Sequence, residues 1–195
     1  MSKETFQLLQ RMDMAKVDVQ LALQCAPVLA GLKVSNLFTV IYGEQGMDLQ
    51  GALAGTGISV SLLSDWNRRY TYLLFRRELL IEYLRCPAVK EQLQAYGYDG
   101  MELDEQLALL RERYQKYQER KEGFPHELGY FLGYPPEDVM GFIRHNGENY
   151  KCMGYWKVYS RPTEKQQIFA AYDKAKEEAI RFVSAGNSIA NLLAV

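Results

Sequence analysis

Apolar residues near the start of the chain recur at helical spacing. They are Leu8, Met12, Ala15, Val19 and Ala22. Separations of three and four residues place such positions on one face of a helix. Because proline disfavours helical geometry in the residue before it, the pattern predicts one amphipathic helix that ends near Cys25, ahead of Pro27.

β-branched and aromatic residues then mark three strands. The run VSNLFTVIY (34–42) has the composition of a strand. ISVSLLS (58–64) and RRYTYLLFR (68–76) flank the short polar segment DWN, and this arrangement predicts an antiparallel β-hairpin. The intervening segment 43–57 carries five glycines and predicts a loop or a weak helix.

Helical periodicity returns after the hairpin. A helix starts near Leu79 and is interrupted or restarted at Pro87. Apolar stripes predict a long helix that ends before Gly123 and another that begins with the capping-box spacing of Thr163 and Gln166. Their members are Leu103, Leu107, Leu110, Tyr114 and Tyr117 in the first and Ile168, Tyr172, Ala175, Ala179 and Phe182 in the second.

Two segments between these long helices carry further signals. Residues 124–144 predict two short helices joined at Gly133, with Glu137 at the N-terminus of the second. This is the outline of a helix-turn-helix, but acidic residues where a recognition helix meets DNA would be repelled by phosphates. Residues 150–160 (YKCMGYWKVYS) predict a fourth strand, in which Tyr155 and Lys157 share one face.

The order of these elements indicates the fold class. A helix is followed by three strands, a block of helices, one strand and a last helix. Because single helices do not alternate regularly with strands, a doubly wound sheet is disfavoured. We expect a single α+β domain over residues 1–195, with a small, mostly antiparallel sheet of about four strands packed with several helices.

Composition narrows the partners and the compartment. The 195 residues carry 23 Lys+Arg and 24 Asp+Glu, a net charge of -1, whereas nucleic-acid binding usually requires a basic excess or stripe. Nucleic acid is therefore disfavoured as a partner. No apolar run approaches the length of a membrane span, and three scattered cysteines favour a reducing cytoplasm. Cofactor, partner and oligomeric state remain unknown at this point.

One segment resembles a known signature. FPHELGYFLGYPPEDVMGF…YKCMGYWKVY, within residues 124–159, is similar to the pattern of an uncharacterised bacterial protein family of unknown function. The stretch QCAPVLAGLK (24–33) is similar to an upstream element of that family, with Gln24 and Val28 in place of its usual His and Thr. The resemblance covers nearly the whole chain. It implies a cytoplasmic protein of anaerobic-type bacteria, associated with flavodoxin and iron handling, and no particular mechanism.

Histidine and cysteine provide the most reactive candidates. His126 lies in the first turn of a predicted helix, where the helix dipole disfavours imidazolium and favours the carboxylate of Glu127. A neutral histidine is a ligand or a general base, although it would also serve as a helix cap. Cys25 lies near Lys33 in the sequence, and a nearby ammonium would favour ionisation of the thiol. A cysteine paired with a histidine base is a common arrangement for a catalytic nucleophile. The alternative is that Cys25 is simply a small buried residue.

The strand 150–160 supplies the other candidates. Alternating Lys and Tyr residues on one face would suit an anionic aromatic ligand such as a flavin or a nucleotide, unless the face is merely solvated. The two histidines and three cysteines show none of the usual metal-ligand spacings. We expect the candidate ligand-binding residues to converge on one concavity. They are His126, Glu127, Cys25, Lys33, Tyr155 and Lys157.

These observations rank three functions. The first is a non-catalytic protein that binds a ligand or cofactor, or acts as an accessory in redox or iron metabolism. The second is an enzyme with Cys25 as nucleophile and His126 as base. The third is a helix-turn-helix DNA binder over residues 126–144. The sequence leaves open whether the protein is an enzyme.

Overall fold

The computed structural model describes residues 2–41 and 49–193, and its α+β class agrees with the prediction. The helices in these ranges are α1 (Lys3–Leu9), α2 (Val17–Leu29), α3 (Leu49–Ala52), α4 (Arg77–Leu84), α5 (Pro87–Ala95), α6 (Leu103–Gln118), α7 (Leu128–Phe131), α8 (Pro136–Arg144) and α9 (Pro162–Ser184). A 3₁₀ helix covers Ile189–Leu193. The strands are β1 (Ser35–Ile41), β2 (Ser59–Trp66), β3 (Arg69–Phe75), β4 (Cys152–Met153) and β5 (Lys157–Val158). Of the helices described, none has the length and apolar character of a bilayer span.

Strands β1, β3 and β2 form an antiparallel sheet in that order, which confirms the predicted strand and hairpin. The end of the first predicted strand, residue 42, and the first six residues of the predicted loop or weak helix, 43–48, lie outside the described residues. Asn67 and Arg68 make the hairpin turn with φ of 49° and 63°. Positive φ at both central residues matches the right-handed twist of the flanking strands.

The sheet separates two hydrophobic cores. Because successive strand residues face opposite sides, Phe38 and Leu74 pack against α2 and α9 on one face. Leu73 and Phe75 pack against α4 to α8 on the other. A smaller aromatic cluster around Trp156 joins the β4–β5 hairpin to α9.

The predicted single helix at the N-terminus is wrong. The structure has α1 and α2, separated by residues 10–16, where the Asp13 carboxylate accepts a hydrogen bond from the backbone N–H of Ala15 at 3.0 Å. Such local bonding competes with helix. Helix α2 then runs through Pro27 to Leu29. Its end is held by Arg76, whose guanidinium donates to the carbonyls of the last two helical residues at 2.9 and 2.7 Å.

The predicted fourth strand is also wrong. Residues 152–158 form a hairpin in which Cys152 pairs with Val158 and Met153 pairs with Lys157. The chain turns at Gly154, where a Cβ would lie 2.3 Å from Phe169 Cδ2, so a side chain has no room. Tyr155 lies in the turn and Lys157 in the returning strand, and they do not share one face.

The predicted capping box of α9 is wrong as well. Arg161 is the residue before the helix, in the left-handed region with φ of 47°, and Pro162 is the first helical residue. No side chain among residues 2–41 and 49–193 caps this N-terminus. Proline suits the first helical position because its missing N–H would have had no helical partner, and the helix therefore starts one residue before Thr163.

Candidate functional site

The corner between α7 and α8 begins at a glycine in a left-handed conformation. Gly133 has φ of +69°, as predicted for the end of a short helix. A Cβ at this position would lie 2.6 Å from Val34 Cγ2. The corner therefore packs directly against Val34, which contacts the hydrophobic core of Leu73 and Phe75. Glycine meets both requirements because it has no Cβ.

A buried carboxylate joins this corner to the β4–β5 hairpin. Asp138, in the first turn of α8, is 2% exposed. It accepts hydrogen bonds from Trp156 Nε1 at 2.8 Å and from the backbone N–H groups of Tyr159 at 2.8 Å and Ser160 at 3.0 Å. Charge-assisted bonds of this kind are strong and directional. They fix the tryptophan ring beside α8, a role that the sequence did not reveal.

A cavity of about 250 Å³ lies between β1, the corner and the hairpin. Its apolar walls include Leu37, Leu128, Leu132, Val139, Phe142 and Ile143. The stacked rings of Tyr134 and Trp156, 5.1 Å apart, close another side. His126 and Lys157 also line it, so a mainly apolar cavity carries an imidazole and an ammonium group.

The two basic side chains are held by aromatic contacts. The His126 ring lies between Phe124 and Phe142, with centroid distances of 5.5 and 5.6 Å. It makes no hydrogen bond to the described parts of the chain, so it does not cap α7. Lys157 Nζ donates to the Gly147 carbonyl at 2.7 Å and lies 5.7 Å from the centre of the Phe142 ring. An ammonium has three donors, and a ligand in the cavity can accept from those that remain.

Comparison with known proteins places the chain in a family. The model of a family described as a protein of unknown function, DUF3793, matches residues 21–193. The chain belongs to this family. The resemblance to an uncharacterised family is thereby confirmed. No curated protein matches the chain, and no solved structure does. The DUF3793 span contains every residue that lines the cavity.

Glu127 lies on the other side of the corner in this DUF3793 protein. It is 2% exposed and accepts hydrogen bonds from Arg113 Nη1 at 2.7 Å and from the Tyr98 hydroxyl at 3.3 Å. Burial, and then the Glu127 charge, raise the pKa of Tyr98. The arginine also donates to the Tyr96 carbonyl at 2.7 Å. This ion pair joins α6 to α7, and Glu127 does not line the cavity beside His126.

Cys25 and Lys33 lie near each other but not in the cavity. Cys25 is fully buried in α2, and burial raises the pKa of its thiol to about 12. Burial lowers the pKa of Lys33 to about 8. Its Nζ donates to Asn36 Oδ1 at 2.9 Å and lies 5.0 Å from the centre of the Tyr134 ring. Lys33 therefore touches a wall residue of the cavity from outside.

Tyr155 is the remaining candidate from the sequence. Its hydroxyl donates to Asp173 Oδ1 at 3.0 Å, and its ring packs edge-on against Tyr172 at 5.0 Å. Its backbone carbonyl accepts from the Tyr134 hydroxyl at 3.4 Å. Of the six candidates, His126 and Lys157 line one cavity, Lys33 and Tyr155 contact its Tyr134 wall, and the other two lie elsewhere.

The N-terminus of α8 is not arranged for DNA. Glu137 accepts from Arg161 and from Lys165 Nζ, the latter at 3.1 Å, and Asp138 is buried. Burial alone would raise the pKa of Glu137, but the bonds from Arg161, the backbone and Lys165 lower it. The first turn therefore faces the protein's own cations. Residues 2–41 and 49–193 also contain no cluster of three His, Cys, Asp or Glu side chains that could hold a metal ion.

Proposed function

We propose that this protein binds a small, mainly apolar molecule in the 250 Å³ cavity, with an anionic group of the ligand at His126 and Lys157. The observation that carries the proposal is an apolar cavity with two basic groups among its lining. Ligand sites are typically apolar with a few placed polar groups. An apolar cavity of roughly 150 Å³ is enough for benzene, so this volume suits one ring with a short acidic substituent.

The volume separates this ligand class from the larger ones considered from the sequence. Sites for drug-sized ligands occupy roughly 300 to 1,000 Å³, and flavins and nucleotides belong in that range. The aromatic surroundings of Lys157 favour a small ring compound. Its ammonium lies 4.9 Å from the centre of the Tyr150 ring and 5.7 Å from that of Phe142, which keeps positive charge at the edge of an apolar volume.

Binding without catalysis is favoured over an enzyme that uses Cys25. A nucleophilic cysteine needs a thiolate, and burial raises the pKa of this thiol to about 12. Cys25 belongs to the core that α2 and α9 share, whereas the cavity lies beside the other core. The carboxylate in the cavity wall, Asp138, already accepts three hydrogen bonds, which leaves it poorly placed as a general base.

We also propose that this binding takes place in a bacterial cytoplasm and serves redox or iron metabolism. All three cysteines are free thiols, which fits a reducing compartment. The metabolic connection rests on the family resemblance alone. The structure supports the binding part of the proposal independently of that connection.

Benzoate and toluene are matched probes for the cavity, since they share a ring and differ in the carboxylate. Titration would be followed by ¹H–¹⁵N NMR, with the Trp156 indole as the reporter. We expect Lys157→Gln to weaken benzoate by about tenfold, the value of one charge-assisted hydrogen bond, and to leave toluene unchanged. Lys151→Gln is the control, because Lys151 is exposed in the same segment and does not line the cavity.

A second variant tests the cavity itself. Ile143→Trp places a larger side chain at a wall position on α8 and should abolish binding of both probes. If neither probe perturbs the indole signal of the unmodified protein at millimolar concentration, the proposed function is wrong. Equal loss of benzoate in the Lys157 and Lys151 variants would refute the role assigned to Lys157.

A further inference from the structure

A second cavity, of about 510 Å³, lies between the tip of the β2–β3 hairpin and the C-terminal end of α6. The two cavities have no described lining residue in common. Its sheet side carries hydroxyl side chains, its helix side carries tyrosines, and arginines stand at its rim. A site with this composition is suited to a different ligand from the one proposed for the apolar cavity.

A β-bulge places polar residues in this second cavity. Leu62 pairs with Tyr72, but the next pair is Ser64 with Thr71, so Leu63 is an extra residue in β2. A one-residue shift moves the following side chains to the opposite face of a strand. Ser64 therefore shares a face with its partner Thr71 instead of pointing to the α2 side.

The same bulge determines on which face of the sheet the following charged side chains lie. After it, Trp66 pairs with Arg69 on the cavity side, and Asp65 pairs with Tyr70 on the other face. Burial and then the charge of Asp65 raise the pKa of Tyr72, which also faces the α2 side. Among the described residues, the cavity lining consequently contains arginine and no carboxylate, so their field favours an anion.

The hydroxyls on the cavity floor have no hydrogen-bond partner in the described part of the chain. Ser64 is 2% exposed and Thr71 is 6% exposed. Neither side chain makes a hydrogen bond within residues 2–41 and 49–193. Both hydroxyl oxygens reach the open cavity rather than being sealed in the core, and the neighbouring position of β3 on this face is the apolar Leu73. Two cavity-facing hydroxyls that bond to no described protein group are free to bond to a polar ligand.

Aromatic rings and two arginine guanidinium groups complete the site. Trp66 is 46% exposed and Tyr117 is 36% exposed, so both present ring surface to solvent. Arg69 and Arg120 line the cavity and form no salt bridge in the described part of the chain. Arg120 follows α6 in the left-handed region, with φ of 59°. Guanidinium groups bind phosphate in a bidentate manner and stack on rings.

We propose that this cavity binds a nucleoside monophosphate or a close analogue, with the base on Trp66 and Tyr117 and the phosphate at Arg69 and Arg120. The hydroxyls of Ser64 and Thr71 would exchange hydrogen bonds with the hydroxyl groups of the sugar. The volume lies within the usual range for such ligands. This inference goes beyond the proposed function and does not depend on it.

Calorimetric titration with AMP tests the site, with adenosine and inorganic phosphate as its two parts. AMP should bind at least about tenfold more tightly than either part, because ring and phosphate contacts act together. Arg69→Gln and Arg120→Gln should each weaken AMP by about tenfold or more. Arg68→Gln removes the same charge from the same turn but does not line the cavity, and should change affinity by less than about twofold.

A floor variant distinguishes binding from structure. Ser64→Ala removes a hydroxyl that bonds to no described protein group, so it should weaken AMP binding without lowering the melting temperature. A lowered melting temperature with unchanged affinity would show a structural role instead. The proposal is overturned by absence of AMP binding at millimolar concentration, by phosphate binding as tightly as AMP, or by equal losses in the Arg68 and Arg69 variants.

Discussion

Replacing Lys33 by methionine should change how the stability of this protein depends on pH. Lys33 is 6% exposed, and burial lowers the pKa of its ammonium from the ordinary 10.5 to about 8. A proton that binds less tightly in the folded protein than in the unfolded chain makes stability rise with pH. Below pH 8 the folded protein bears the full cost of burying the Lys33 charge. This cost is progressively relieved as pH rises from 8 towards 10.5, so the free energy of unfolding increases over that interval.

The pKa difference sets the magnitude. At about 1.4 kcal/mol for each unit of pKa difference, the shift of Lys33 corresponds to roughly 3 kcal/mol of unfolding free energy between low and high pH. Between pH 7 and pH 10, the free energy of unfolding of the unmodified protein should therefore rise by about 2 to 3 kcal/mol relative to Lys33→Met. The neighbouring Cys25 thiol, with a pKa of about 12, stays neutral in the folded protein over this interval. Its effect therefore cancels in the comparison.

Urea unfolding followed by circular dichroism at several pH values gives the required difference. Lys90→Met is the control, because Lys90 is exposed on α5, and its difference from the unmodified protein should stay nearly constant with pH. A constant difference for Lys33→Met as well would refute the reasoning. It would mean that the hydrogen bond to Asn36 and the contact with Tyr134 fully compensate the burial of the charge.

Three further outcomes are expected. Gly133→Ala should lower the free energy of unfolding by about 2 to 3 kcal/mol, because it adds a clash with Val34 to the strain of a left-handed backbone. Gly100→Ala is the control, since Gly100 has a similar φ but open space around it, and it should lower the free energy of unfolding by only about 1 kcal/mol. Equal losses in urea unfolding would contradict the clash. Asp138→Ala should lose about 2 to 4 kcal/mol and shift the fluorescence of Trp156 to the red, and an unchanged spectrum would count against the buried bond. Iodoacetamide at pH 8 should spare Cys25 in the folded protein and label the exposed cysteine that precedes α5, and mass spectrometry showing equal labelling would contradict the burial.

Local signals in the sequence were sufficient for several elements. The turn residues between β2 and β3, the strand composition of β1 and the apolar stripe of α6 each act over a few neighbouring residues. They need no distant partner to define their conformation. Gly133 belongs with them, because a short helix that ends before a Tyr-Pro-Pro sequence calls for a left-handed residue at that point.

Other elements depended on contacts that the local sequence does not contain. Pro27 should have ended α2, but burial between the sheet and α9 and the bonds from Arg76 outweigh the local preference. The strand-like run 150–160 contains a hairpin that turns at Gly154, where Phe169 packs too close for any side chain. The bulge at Leu63 likewise reverses which face Asp65 occupies.

The candidate site divides in the same way. The sequence by itself identified His126 and Lys157 as candidate ligand-binding residues, but only the tertiary structure places both in the lining of one cavity. It places Glu127 in an ion pair with Arg113, on the other side of the corner. It also turned Asp138 from a helix-end charge into the anchor of the hairpin. Residue type and spacing determine local conformation, because local backbone bonding and side-chain sterics act between near neighbours. Which side chains meet is decided by packing among distant segments, where burial energy exceeds most local preferences.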